Sequence, residues 1–140
     1  IVNLPPEEAD ELQSSLRLSN IDLIYLLAPT TTKKRSAFIA QKASGFLYYI
    51  SLKGITGAGH IEVSEVATRI EILREMTDLP LCVGFGIKNA ETATEIGRFS
   101  DGVVVGSALV DLMSESKSVG VTATALESAV NSIRQGLDSI

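Results

Sequence analysis

The sequence predicts an α/β protein in which a parallel sheet is covered by helices. Two observations carry that reading. Short runs that are apolar on both faces alternate with segments whose apolar residues recur at helical spacing. Glycine turns then join the later runs to the helices that follow, as in "LPLCVGFGIKNAETA" (79–93) and "DGVVVGSALV" (101–110). The alternation implies about five strands, the first truncated. No shift of composition divides the chain, so residues 1–140 are expected to form one unit.

Taken in order, residues 1–4 read as the end of a strand stopped by Pro5-Pro6, which can start a helix but cannot continue a central strand. Glu7 and Glu8 fall in the first helical turn, where the dipole favours acids. Ala9, Leu12 and Leu16 mark one face, and Ser19-Asn20 close that helix. "IDLIYLLA" (21–28) is a strand stopped by Pro29, and Thr31 or Thr32 caps a helix carrying Phe38, Ile39 and Ala43. "GFLYYISLKG" (45–54) is a strand rich in aromatic and β-branched residues. The loop "GITGAGH" leads to a helix with Val63, Val66, Ala67, Ile70 and Leu73 on one side. "LPLCVGFG" and "DGVVVG" are the last strands, followed by helices that start at Asn89 and Ser107. The final helix carries Leu126, Val130, Ile133 and Leu137 on one face.

Composition narrows the function. A net charge of −5 with no basic stripe argues against nucleic acid, and Lys33, Lys34 and Arg35 read as a solvated helix face. One cysteine permits no internal disulfide, and Cys82, inside an apolar strand, fits a buried thiol in a reducing cytoplasm. No stretch approaches the roughly 20 apolar residues of a membrane helix, and no secretory leader is visible. The chain opens without methionine on the end of a strand, so its beginning is expected to be missing.

The two glycine turns are the strongest chemical signal. In a (β/α)8 barrel, phosphate is often held by the loops after the last two strands and the start of a short extra helix. Gly84 and Gly86 follow one strand, and Gly106-Ser107 opens a short helix after the next. Bare backbone lets N–H groups approach an oxyanion, and the helix start adds a positive dipole end and the Ser107 hydroxyl. Either turn alone could need glycine for geometry; two in succession favour phosphate. A dinucleotide fold fits poorly, because "GFGIKN" lacks the third glycine and the acidic residue that would follow.

With "LPPEE", "LAPTT", "GFLYYIS" followed by "GITG", "VGFGI" and "DGVVVGSALV" in order, the chain resembles the C-terminal half of the tryptophan synthase alpha chain family. The resemblance spans essentially all 140 residues. It implies the C-terminal half of a (β/α)8 TIM barrel, its last four to five βα units. It further implies a lyase of tryptophan biosynthesis, cleaving indole-3-glycerol phosphate to indole and glyceraldehyde 3-phosphate. No cofactor is expected in this chain, because pyridoxal phosphate belongs to the family's beta subunit, the partner in an alpha2beta2 complex.

Residue by residue, the resemblance makes Gly57, Gly86, Gly106 and Ser107 phosphate contacts. Leu27, Phe85 and Val104 would line the substrate pocket, Leu27 and Val104 from neighbouring strands. Tyr48 matches a tyrosine next to the substrate, and Thr56 a threonine that orients a catalytic aspartate when the loop closes. Pro5 to Glu8 and the "APTT" turn would face the beta subunit. Asn3 stands where the family usually has aspartate, and His60 where arginine is common, so those two roles do not carry over. The family's acid-base pair, a glutamate and an aspartate, belongs to the N-terminal half, so this fragment is expected to bind substrate without catalysing its cleavage.

The residues themselves agree. Protonating indole C3 and removing a hydroxyl proton call for positioned acids and bases, yet Asp22 and Asp101 begin strands and stand at the opposite end. A Schiff base at Lys53 would instead suggest a class I aldolase or another phosphosugar isomerase barrel. His60 is the single histidine, without a metal-binding partner, and no metal is expected. Half a barrel leaves sheet edges and an apolar face open, so the isolated chain is expected to self-associate, and a purely self-associating half barrel is the non-enzymatic alternative.

Overall fold

A computed structural model describes residues 4–51, 63–84, 86–115 and 118–140. Four strands form one sheet in the order β1-β2-β3-β4: β1 (Tyr25–Leu27), β2 (Leu47–Ile50), β3 (Leu81–Gly84) and β4 (Gly102–Val104). All three pairings are parallel. Between them run α2 (Lys33–Lys42), α3 (Val63–Arg74) and α4 (Ala90–Gly97). Helix α1 (Asp10–Leu18) precedes β1, and α5 (Ser107–Glu115) and α6 (Val119–Asp138) follow β4. The alternation is thus the predicted one, with four strands among the described residues; residues 1–3 of the expected first strand lie outside them.

Local chemistry sets the boundaries. Pro6 starts a 3-10 turn (Pro6–Glu8) rather than an α-helix, and α1 begins only at Asp10. Asn20, at φ 53, ends α1, with the Ile21 N–H donating to the Leu16 carbonyl at 3.0 Å. The Thr32 hydroxyl accepts from the Arg35 N–H and the Asn89 side chain from the Thr92 N–H, capping α2 and α4.

Register places Tyr25, Leu47 and Leu81 in one row and Leu27, Tyr49, Val83 and Val103 in another, all on the same face of the sheet. That face is the core. Leu27, Leu47, Leu81 and Val83 are essentially without solvent contact, and Ile39, Ala40, Val66, Ile70, Leu73, Ala93 and Ile96 of α2, α3 and α4 join them. The Leu27 position corrects one expectation. Its side chain packs under the helices, so it does not share a face with Val104, and β1 and β4 are opposite edges rather than neighbours. Leu26, 56% exposed, holds the other face.

Further contacts were not expected from the sequence. Gln13 is buried on α1 and its side-chain amide donates to the Lys42 carbonyl. The Lys42 ammonium donates in turn to the Pro6 carbonyl at 2.9 Å and lies over the Phe38 ring. Glu7 pairs with Arg35 at 2.6 Å, and that bond holds its carboxyl below the usual range. In α6, Val130 is 48% exposed, so it lies off the packed face predicted for it.

At the N-terminal end of the strands, the Asp101 carboxylate accepts from the Leu81 N–H at 2.8 Å and from Arg74 at 3.1 Å. Burial pushes this carboxyl up, but those two hydrogen bonds outweigh it and hold it below the ordinary aspartate range. A depressed folded-state value means stability that is present above the unfolded pKa of about 3.9 and lost as pH falls through the folded value. Asp101→Asn is therefore expected to lower the urea midpoint at neutral pH, and the gap from the parent should shrink in acid. A gap constant from neutral to strongly acidic pH would show that the charge contributes nothing.

Candidate functional site

The open face of the sheet carries Leu26, Tyr48, Cys82 and Gly102 in one row and Ile50, Gly84 and Val104 in the next. Tyr48 and Val104, expected on the pocket side, share this face. Tyr49 takes the opposite side, 4% exposed. A β-carbon on Gly84 would stand 1.9 Å from the Tyr48 hydroxyl oxygen, so the ring of Tyr48 lies across the bare backbone of β3. Burial pushes the Tyr48 phenol up, with a further contribution from Cys82, so it is a neutral hydrogen-bonding group at physiological pH. The Cys82 thiol is likewise raised, by burial and then by Asp101, which does not suit a nucleophile.

At the C-terminal ends of the adjacent strands β3 and β4 the two glycine turns open side by side. Gly86 has φ 80, which other residues adopt only with strain. Gly106 is different. It lies outside the left-handed region, is exposed, and among the described residues nothing lies within 4 Å of where its β-carbon would be. Neither the backbone nor any described neighbour requires glycine there. Ser107, also exposed, is the first residue of α5. The Gly106 carbonyl accepts from the N–H groups of Leu109 and Val110, so those of Ser107 and Ala108 stand ahead of the first intrahelical bonds at the positive end of the dipole. Lys88, two residues past Gly86, is exposed.

Thr56, Gly57 and Phe85 lie outside the described residues, as do Asn3, Lys53 and His60. The turns "APTTT", "GFGIKN" and "VGS" contain no carboxylate. Among the described residues no group of three or more His, Cys, Asp or Glu could hold a metal ion, and no helix is long and apolar enough to cross a membrane.

Parallel strands alternating with helices, with anion-suited turns at the C-terminal ends of the strands, define half of a (β/α)8 barrel. Comparison with known proteins agrees and is more specific. The family model described as tryptophan synthase alpha chain matches residues 1–137, and the chain belongs to that family. It is 45% identical over 140 residues to the tryptophan synthase alpha chain of Marinobacter nauticus, covering 99% of this chain and 52% of that one. It is 54% identical over 110 residues to that of Methylococcus capsulatus, covering 79% of this chain and 41% of the relative. Among solved structures, tryptophan synthase subunit alpha from Legionella pneumophila superimposes with a TM-score of 0.83 at 37% identity, over 100% of this chain and 51% of that one. Tryptophan synthase from M. tuberculosis in its aminoacrylate-bound form matches with a TM-score of 0.80 at 26% identity, over 96% and 48%. The chain thus spans about half the length of the curated relatives it matches.

Proposed function

We propose that this chain forms the phosphate- and indole-binding half of a tryptophan synthase alpha barrel. It would hold indole-3-glycerol phosphate for cleavage to indole and glyceraldehyde 3-phosphate. The observation that carries the reading is Gly106, a glycine that no described neighbour requires, at the mouth of an anion-suited helix start beside the Gly86 turn. Backbone N–H groups of Gly86, Gly106 and Ser107 bind the phosphate, and the family resemblance assigns Gly57 to the same phosphate and Thr56 to a supporting role. Tyr48 and Val104 contact the rest of the substrate from the open face, where Leu26 takes the place first assigned to Leu27, and the family resemblance adds Phe85 to these contacts. The acid and base come from outside the turns described, because "APTTT", "GFGIKN" and "VGS" supply neither. No cofactor is needed by this half; pyridoxal phosphate serves the beta subunit, the cytoplasmic partner that receives indole.

The test uses glycerol 3-phosphate as probe and calorimetry as readout. Gly106→Ala should keep the fold, and even raise stability by about 0.4–1 kcal/mol through a less flexible unfolded chain. Its methyl group stands where the anion approaches, so affinity should fall about tenfold or more, a loss of roughly 1.4 kcal/mol. Unchanged affinity in the folded variant overturns the site. The chain by itself should produce no indole from indole-3-glycerol phosphate, and should produce it when mixed with the N-terminal half of a relative. Indole from the chain alone would show that its catalysts are present.

A further inference from the structure

We propose that Ser51 is a positioning residue for the phosphate turn: its hydroxyl holds the last carbonyl of β3 and so sets the backbone that presents the Gly86 N–H. This role rests on the phosphate reading given above for Gly86. Ser51 acts through the backbone and not by touching substrate.

Ser51 directly follows β2 and, by strand alternation, falls on the helix-covered side with Leu47 and Tyr49. At 4% exposed it is as buried as Tyr49, yet it brings almost no apolar surface to the core. A buried hydroxyl is tolerated where it finds a hydrogen bond. The Ser51 Oγ donates to the Gly84 carbonyl at 3.2 Å, and the Ser51 N–H donates to the same carbonyl at 3.1 Å. The backbone bond continues the ladder one step past the Ile50–Gly84 pair, and any residue but proline could make it. The second bond needs a short hydroxyl side chain. Together they bring two donors to the two lone pairs of one buried carbonyl.

The carbonyl so held closes β3, two residues before Gly86 with its φ of 80. Tyr48 constrains the same residue from the open face, where a β-carbon on Gly84 would stand 1.9 Å from its hydroxyl oxygen. Two side chains of β2, three positions apart, thus fix Gly84 from opposite sides of the sheet. On the far side of the turn, Ile87 is 2% exposed and belongs to the core cluster. Glycine has the most freely rotating backbone of any residue, so a turn entered through Gly84 and built on Gly86 has little stiffness of its own. Anchoring it at both ends from outside aims its N–H groups before an anion arrives, which removes the ordering cost from binding.

Ser51→Ala deletes the hydroxyl and leaves the backbone bond. In the parent chain, the backbone order parameters of Gly86 and Ile87 from NMR relaxation should lie near the rigid value of about 0.85. In Ser51→Ala they should fall toward roughly 0.6, while those of Leu81 and Val83 stay at the parent's values. Affinity for glycerol 3-phosphate should drop about fivefold, the size expected for one neutral hydrogen bond. Saturating glycerol 3-phosphate should return the turn of the variant to the parent's order parameters. A serine that served stability alone would shift the urea midpoint and move none of these. Unchanged order parameters at Gly86 and Ile87 overturn the role of Ser51, and so does an affinity equal to the parent's. A parent chain that does not bind glycerol 3-phosphate overturns the phosphate reading instead, and the order parameters still decide whether Ser51 holds the turn.

Discussion

Leu81→Ala is expected to lower the unfolding free energy by about 2–5 kcal/mol, the range for removing a fully buried leucine side chain from a core. Leu81 has no solvent contact, sits on the helix-covered face level with Leu47, and shares its cluster with Ile70, Leu73 and Ile96. Its position in β3, paired on both sides by β2 and β4, leaves the surrounding structure little freedom to collapse into the space. Its own N–H is held by Asp101, which fixes the backbone further. The cost should therefore fall in the upper part of the range. Urea denaturation measures it, and a change below about 1 kcal/mol would place the core elsewhere.

Gly84→Val should be nearly as damaging, for the opposite reason. The introduced β-carbon would lie 1.9 Å from the Tyr48 hydroxyl oxygen and 2.4 Å from the adjoining ring carbon. A rigid ring cannot bend away, so either Tyr48 rotates off the sheet or β3 shifts against β2. Overpacking of this kind costs about 1–3 kcal/mol. The affinity for an indole-bearing ligand should fall with it, because the displaced ring is a proposed substrate contact. The discriminating experiment is a double-mutant cycle with Gly84→Ala and Tyr48→Ala. Removing the ring should relieve most of the strain, giving a coupling energy of about 1 kcal/mol or more. Strict additivity would mean that the ring had been free to move.

Much of this architecture is legible in the sequence. Period and punctuation identify the four described strands and the helices between them, and Thr31 or Thr32 and then Asn89 announce two helix starts by residue type, Thr32 being the residue that caps. What the sequence does not give is parity. In "IDLIYLLA" every residue after Asp22 is apolar, so no polar contrast tells which of Leu26 and Leu27 faces the helices. Leu27, expected to line the pocket with Val104, stands on the helix-covered face, in register with Tyr49. Long-range polar pairings were equally hidden. Glu7 reads locally as a residue that favours the helix dipole, whereas its partner Arg35 comes 28 positions later. Gln13 gives no sign in sequence that the Lys42 carbonyl awaits it. At the candidate site the glycine turns were readable because bare backbone at a strand-to-helix junction is itself the signal. What sets Gly106 apart is visible only in space, where no described residue lies within 4 Å of its missing β-carbon.

The α4–α6 contact sets the order in which the molecule can come apart. A β-carbon on Gly136 would stand 2.6 Å from the Thr94 hydroxyl oxygen, and one on Gly97 would stand 2.5 Å from a Leu137 methyl carbon, so the two helices touch where each lacks a side chain. Yet α6 has 20 residues and no fully buried one, while α4 buries Ala93 and Ile96 in the core. The long helix is thus fastened to a layer that is itself fastened to the sheet. Its amides should exchange with solvent through a sub-global opening that leaves β2 and β3 protected. Thermal breathing is therefore expected to run from the C-terminal helix inward, with the Gly106 turn close in sequence to the part that loosens first.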